Sequence, residues 1–219
     1  MPHMLPPQFA IDYEAFRAGA ATSDKSGLVH FLIEELPFKW RDLYVANTSH
    51  VTNIVRFHYG TFEYFYDFYS ELEVNGEVPY SETIEDRVVG VIGTSTSTRD
   101  PRDPSRLRGW VGPTEEYIGK DRDKGHFMAH CIGGGLDVNV FSQLRSLNRG
   151  WSKEGKVYRQ MEDYCYEHAS TLCFSRPVYV DDTSAPRWLE FGVMKEDGRL
   201  WVEVFDNGQS DYRTARVHS

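Results

Sequence analysis

One segment of this chain keeps an unbroken helical period. In GKVYRQMEDYCYEHASTL, the residues Val157, Met161, Tyr164, Cys165, His168 and Leu172 recur at i, i+4, i+7, i+8, i+11 and i+15, which is one face of an α-helix. The segments around it follow a different rhythm. RVVGVIGTSTST upstream, and FSRPVYVDD and RWLEFGVMKEDGRLWVEVFDN downstream, are rich in β-branched and aromatic residues, with Asp197–Gly198 as a hairpin turn. Nearer the N-terminus, Ile11–Ala20 and Gly27–Leu36 carry helical spacing. HVTNIVRFHYGTFEYFYDFYSELEVNGEVPY then turns strand-like, with a further hairpin signal at Asn75–Gly76. Helices first, then strands, then one long helix and a closing hairpin predict an α+β protein on a mixed or antiparallel sheet.

Composition narrows the class. The chain has 219 residues, with 13 Phe, 13 Tyr and 5 Trp, enough length and apolar bulk to bury a core. Its net charge is −9, which argues against a surface that is basic throughout. The charge is uneven, however. Phe57–Asp86 holds eight acids and no Lys or Arg, whereas Arg145–Arg159 holds five basic residues and one acid. A locally basic face is therefore available on an acidic chain.

Three cysteines, Cys131, Cys165 and Cys173, are an odd number without repeated spacing, so no disulfide framework follows. The opening residues lack a basic region followed by an apolar run, and no stretch reaches the roughly 18 apolar residues of a membrane span. The expectation is a soluble chain without signal peptide or membrane contact, cytoplasmic or exported by a non-classical route.

DRDKGHFMAHCIGGGLDVN concentrates the chemistry. His126 and His130 are four apart, but Phe, Met and Ala separate them, so the general-base Glu of H-E-x-x-H zinc hydrolases is missing. Three glycines follow at once, which disfavours a long helix there. They match no phosphate-binding loop and read as a tight backbone path.

DKGH, IGGG, DVNVFSQ, LNRG and QMEDY follow one another in order. Together they resemble the DNA/RNA non-specific endonucleases of the ββα-metal (His-Me finger) type, in particular the branch found in bacterial toxins. The resemblance covers about residues 85–207. It implies a ββα-metal core on the sheet with an N-terminal helical and aromatic extension. The expected organisation is an N-terminal region 1–84 of unassigned role, an endonuclease-like domain 85–210 and a polar tail 211–219. Lys124 stands where Arg is frequent in the family, and WSKEGKVY reads as extra length before the helix, which in the family begins with a Met-Glu pair matched here by Met161–Glu162.

The resemblance also implies roles. Hydrolysis of a phosphodiester needs an activated water and stabilisation of phosphate charge. His126 would be the general base, suited by an ordinary pKa of about 6.5. Asn148 would be the protein ligand of Mg²⁺ (or Mn²⁺), a hard cation that keeps most of its waters. Glu162 would hold one of those waters, and Asn139 would position metal waters or the active loop. By charge and place, Arg145, Arg149 and Lys124 are expected to bind substrate phosphate, with Arg106 and Arg108 as weaker candidates. DNA, and RNA as a second substrate, are the expected partners, together with an immunity protein if the toxin branch applies. Two other readings stand beside this one: an inactive nuclease-fold interaction module, and a zinc hydrolase using His126, His130 and a cysteine.

Overall fold

The computed structural model describes residues 4–72, 81, 83–98, 121–135 and 138–208. The Asn75–Gly76 turn, Arg106, Arg108 and the tail 211–219 lie outside the described residues.

Six strands form one antiparallel sheet: β1 (Ile54–Tyr59), β2 (Phe62–Asp67), β3 (Arg87–Thr94), β6 (Leu172–Val178), β7 (Trp188–Met194) and β8 (Leu200–Asp206), in that spatial order. A separate antiparallel pair, β4 (Arg122–His126) and β5 (Val140–Leu144), runs into a short helix α3 (Arg145–Asn148) and then α4 (Lys153–Glu167). Two N-terminal helices, α1 (Tyr13–Ala18) and α2 (Lys25–Asn47), complete the architecture. The protein is α+β, and its strand pairing is antiparallel throughout the described residues.

The sheet is covered on both faces, which explains why β3 and β6 are buried almost end to end rather than at alternate residues. Val91, Cys173 and Val193 point into a core shared with Phe127, Phe141, Leu147, Tyr158 and Met161. Their neighbours Ile92, Phe174 and Met194 point the other way, into a core shared with Leu28, Leu32, Leu36 and Trp40. One layer of α1 and α2, the sheet, and a layer of β4, β5, α3 and α4 thus stack in three. The sheet crosses the expected 84/85 boundary, because β1 and β2 pair directly with the strands that follow.

Three departures from the sequence reading have physical causes. Helix α2 continues to Asn47 although Pro37 lies inside it. Leu28, Leu32, Leu36 and Trp40 are all buried against the sheet, and that packing outweighs the missing hydrogen bond at the proline. The first hairpin turns at Gly60–Thr61, with Gly60 at φ +59, a left-handed conformation glycine adopts without strain. Finally, the segment expected as extra length before the last helix is helical from Lys153. The Ser152 side chain caps it, accepting from Gly155 N at 2.9 Å. Met161–Glu162 therefore sits in mid-helix. The helix stops at Glu167, and Leu172 opens β6 instead.

Candidate active site

Asp123 is the hub of one cluster. Its carboxylate accepts from Arg145 Nε at 3.0 Å, from Arg149 Nε and Nη2 at 2.7 and 3.1 Å, and from Asn148 Nδ2 at 3.3 Å. Helix α3 is only one turn long, so these side chains leave it close together and reach the same strand residue. Burial alone would raise the Asp123 pKa; the hydrogen bonds from Arg149, Arg145 and Asn148 outweigh it and hold the carboxyl below its ordinary value. Two guanidinium groups on one carboxylate leave local positive charge beside Asn148.

The clamp orients Asn148. With Nδ2 turned to Asp123, the amide oxygen makes no hydrogen bond among the described residues. Arg145 also donates through Nη2 to the Arg122 carbonyl at 3.0 Å. Arg145 and Arg149 are thus committed to Asp123 and expose only part of their guanidinium edges.

Close approach explains the glycines here. A side chain at Gly125 would meet the buried Gln143 at 2.2–2.5 Å, and one at Gly155 would meet the Ser146 carbonyl at 2.5 Å. At Gly134 it would lie 1.9 Å from the Met128 carbonyl. That loop is closed by Asn139, 1% exposed. Its Oδ1 accepts from Met128 N at 2.8 Å, and its Nδ2 donates to Met128 O and Gly135 O, both at 2.7 Å. The Asn139 amide is therefore spent on the backbone of the glycine-rich loop.

His126 ends β4 and is 8% exposed. Its carbonyl accepts from the Tyr158 hydroxyl at 3.1 Å. Burial, with the Glu162 carboxylate adding to it, pushes the Tyr158 phenol well above its ordinary pKa, against a smaller opposing pull from Gln143 and Arg159. The phenol stays a proton donor throughout the working pH range. The next residue, Arg159, donates to the Asn148 carbonyl at 3.2 Å. Consecutive residues of α4 thus hold the backbone of His126 and of Asn148, and Glu162 follows about one turn later on the same helix.

Strand alternation places Lys124 and His126 on one face of β4, and Asp123 and Gly125 on the other. Lys124 is accordingly outside the Asp123 cluster; partial burial lowers its pKa. Among the described residues, no three His, Cys, Asp or Glu side chains gather as a metal-holding group. Three residues escaped the sequence reading. Asp123 was visible as part of DKGH without a role, Tyr158 was hidden in the helix period, and Trp151 stood unremarked beside LNRG.

No family model matches the chain, and no curated protein matches it. Among solved structures, the chain is similar to one described as "Structure of Sda1 nuclease with bound zinc ion", at 14% identity and a TM-score of 0.37, over 77% of this chain and 82% of that one. It is also similar to an "extracellular endonuclease", at 11% identity and a TM-score of 0.35, over 74% and 82%. Both likenesses are too weak to decide fold or function, so the chemistry rests on the site's own geometry.

Proposed function

We propose that this chain is a metal-dependent endonuclease that hydrolyses phosphodiester bonds of DNA, and of RNA, with little sequence specificity. The observation that carries the reading is the pair of backbone bonds from α4, Tyr158 to His126 and Arg159 to Asn148. They tie the strand that carries DKGH and the short helix that carries LNRG to the one helix α4.

The donor set suits a hard cation. Asn148 offers an amide oxygen whose direction is set by Asp123, and Glu162 offers a carboxylate on the adjoining helix; both are oxygen donors of the kind Mg²⁺ or Mn²⁺ prefers. Asp123 is saturated by Arg145, Arg149 and Asn148, which leaves it a support and not a ligand. When bound there, the cation supplies neutralisation of the charge that builds on the phosphate and on the departing 3′ oxygen.

His126 takes the proton of the attacking water as the new P–O bond forms and the P–O3′ bond breaks. Tyr158 fixes the His126 backbone, so the imidazole works from a preset position. Glu162 would hold a water of the cation, and Asn139 supports catalysis by its bonds to the Met128 and Gly135 backbone. Arg145 and Arg149 give the site its positive rim, and Lys124 adds charge on the His126 face. The toxin role, with an immunity protein as partner, rests on the family resemblance alone. Nicking of supercoiled plasmid with Mg²⁺, and its loss with EDTA, tests the reading; a purified chain without such activity fits the inactive interaction module instead.

A further inference from the structure

We infer that Trp151, backed by Arg149, is a stacking platform for an unpaired base, and that this site takes single-stranded nucleic acid in preference to duplex. The inference rests on the nuclease reading and names its substrate. Exposed aromatic residues scattered singly are ordinary on protein surfaces, so the exposure of Trp151, 63%, is only the starting point. Its ring is held: the Arg149 guanidinium lies over it at 5.1 Å, and Arg149 is itself fixed on Asp123 by two hydrogen bonds. The ring is therefore held at the site while most of the residue's surface stays open to solvent, three residues from Asn148.

The surroundings match what a single strand needs. Lys153, Lys156 and Arg159 are exposed, and at three-residue spacing they span an arc of roughly 120° on α4. Tyr158, Met161 and Cys165 are buried on the other side of that helix. The chain as a whole is acidic, yet this stretch presents a basic stripe flanking a flat ring. A charged track for phosphates with an aromatic face for bases is how sequence-tolerant single-strand binding works. Duplex bases are already stacked on one another and must be unstacked before they can use such a ring.

The test reads binding by the full-length chain, in EDTA so that nothing is cut. A short single-stranded oligonucleotide carrying 2-aminopurine is titrated with the wild-type protein and with Trp151→Ala and Trp151→Phe. The expected result is quenching of the probe by the wild type, binding about ten-fold weaker in Trp151→Ala, and most of the affinity kept by Trp151→Phe. The same duplexed oligonucleotide binds more weakly than the single strand. Equal quenching by wild type and Trp151→Ala, or tighter binding of the duplex, overturns the inference. A chain that cuts plasmid but fails this test loses the platform and keeps the nuclease assignment; one that quenches but never cuts keeps the platform and loses the nuclease assignment.

Discussion

Tyr158 donates its hydroxyl to the carbonyl of His126 at 3.1 Å, from the buried face of a helix to the last residue of a strand 32 positions earlier. The bond lets α4 set where the imidazole starts from, while the phenol itself stays out of the chemistry. Replacing Tyr158 with Phe keeps the ring and removes the donor. The expected cost is about 1 kcal/mol of stability and a fall in kcat of about ten-fold, because small misplacements of a reacting group are expensive. KM should hardly move. Steady-state kinetics on an oligonucleotide separate the two, and an unchanged kcat would remove Tyr158 from any positioning role.

Asp123 should make part of the stability pH-dependent. Its folded pKa is depressed, so its contribution is fully present above the unfolded carboxyl value of about 3.9 and is lost as pH falls from there through the lower folded pKa. Asp123→Asn cannot show that dependence. Urea midpoints of the wild type and the variant should differ at pH 7 and converge at the acid end. In the variant, Arg145 and Arg149 lose their shared anchor and Asn148 its fixed orientation, so activity should fall together with the difference in midpoint.

Asn139→Ala strips three backbone groups, Met128 N–H, Met128 C=O and Gly135 C=O, of a buried partner. Buried polar groups left unmet are costly, and a loss of about 3 kcal/mol is expected. Hydrogen exchange should speed up at Met128 and across the glycine-rich loop before the six-stranded sheet is affected. Uniform exchange across the protein would argue that the amide has no special hold on this loop.

Gly155→Ala sets two effects against each other. Alanine gains about 1 kcal/mol in helix propensity, but its Cβ would come to 2.5 Å from the Ser146 carbonyl and 2.9 Å from that of Leu147. Backbone atoms do not move aside cheaply, so overpacking of about 2 kcal/mol should win. Thermal unfolding is expected to show net destabilisation, and activity should drop further because α4 is pushed from α3 and with it from Asn148.

Much of the fold was legible because it obeys a period. The 157–165 stripe forms the buried face of α4, and the Asp197–Gly198 turn joins β7 to β8, with Gly198 at φ +78. The second half of α2 was not legible, since Pro37 is a stop signal that burial of Leu28, Leu32, Leu36 and Trp40 against the sheet overrides. The start of α4 was missed because two glycines and a charged run disguise a Ser152 cap. At the site, sequence order placed DKGH and LNRG as separate elements. The grip of Arg149 on Asp123 spans 26 positions and has no periodicity to betray it. Arg145 and Arg149 carried charge in plain view, whereas their commitment to Asp123 depends on α3 being a single turn.

The central assignment is tested most directly by plasmid nicking with wild type, His126→Ala and Asn148→Ala, each shown by circular dichroism to be folded, in Mg²⁺ and in EDTA. The wild type is expected to nick in Mg²⁺ and not in EDTA, with His126→Ala about a thousand-fold slower and Asn148→Ala requiring far more Mg²⁺ to reach any rate. Full activity in His126→Ala, or nicking that persists in EDTA, would contradict it.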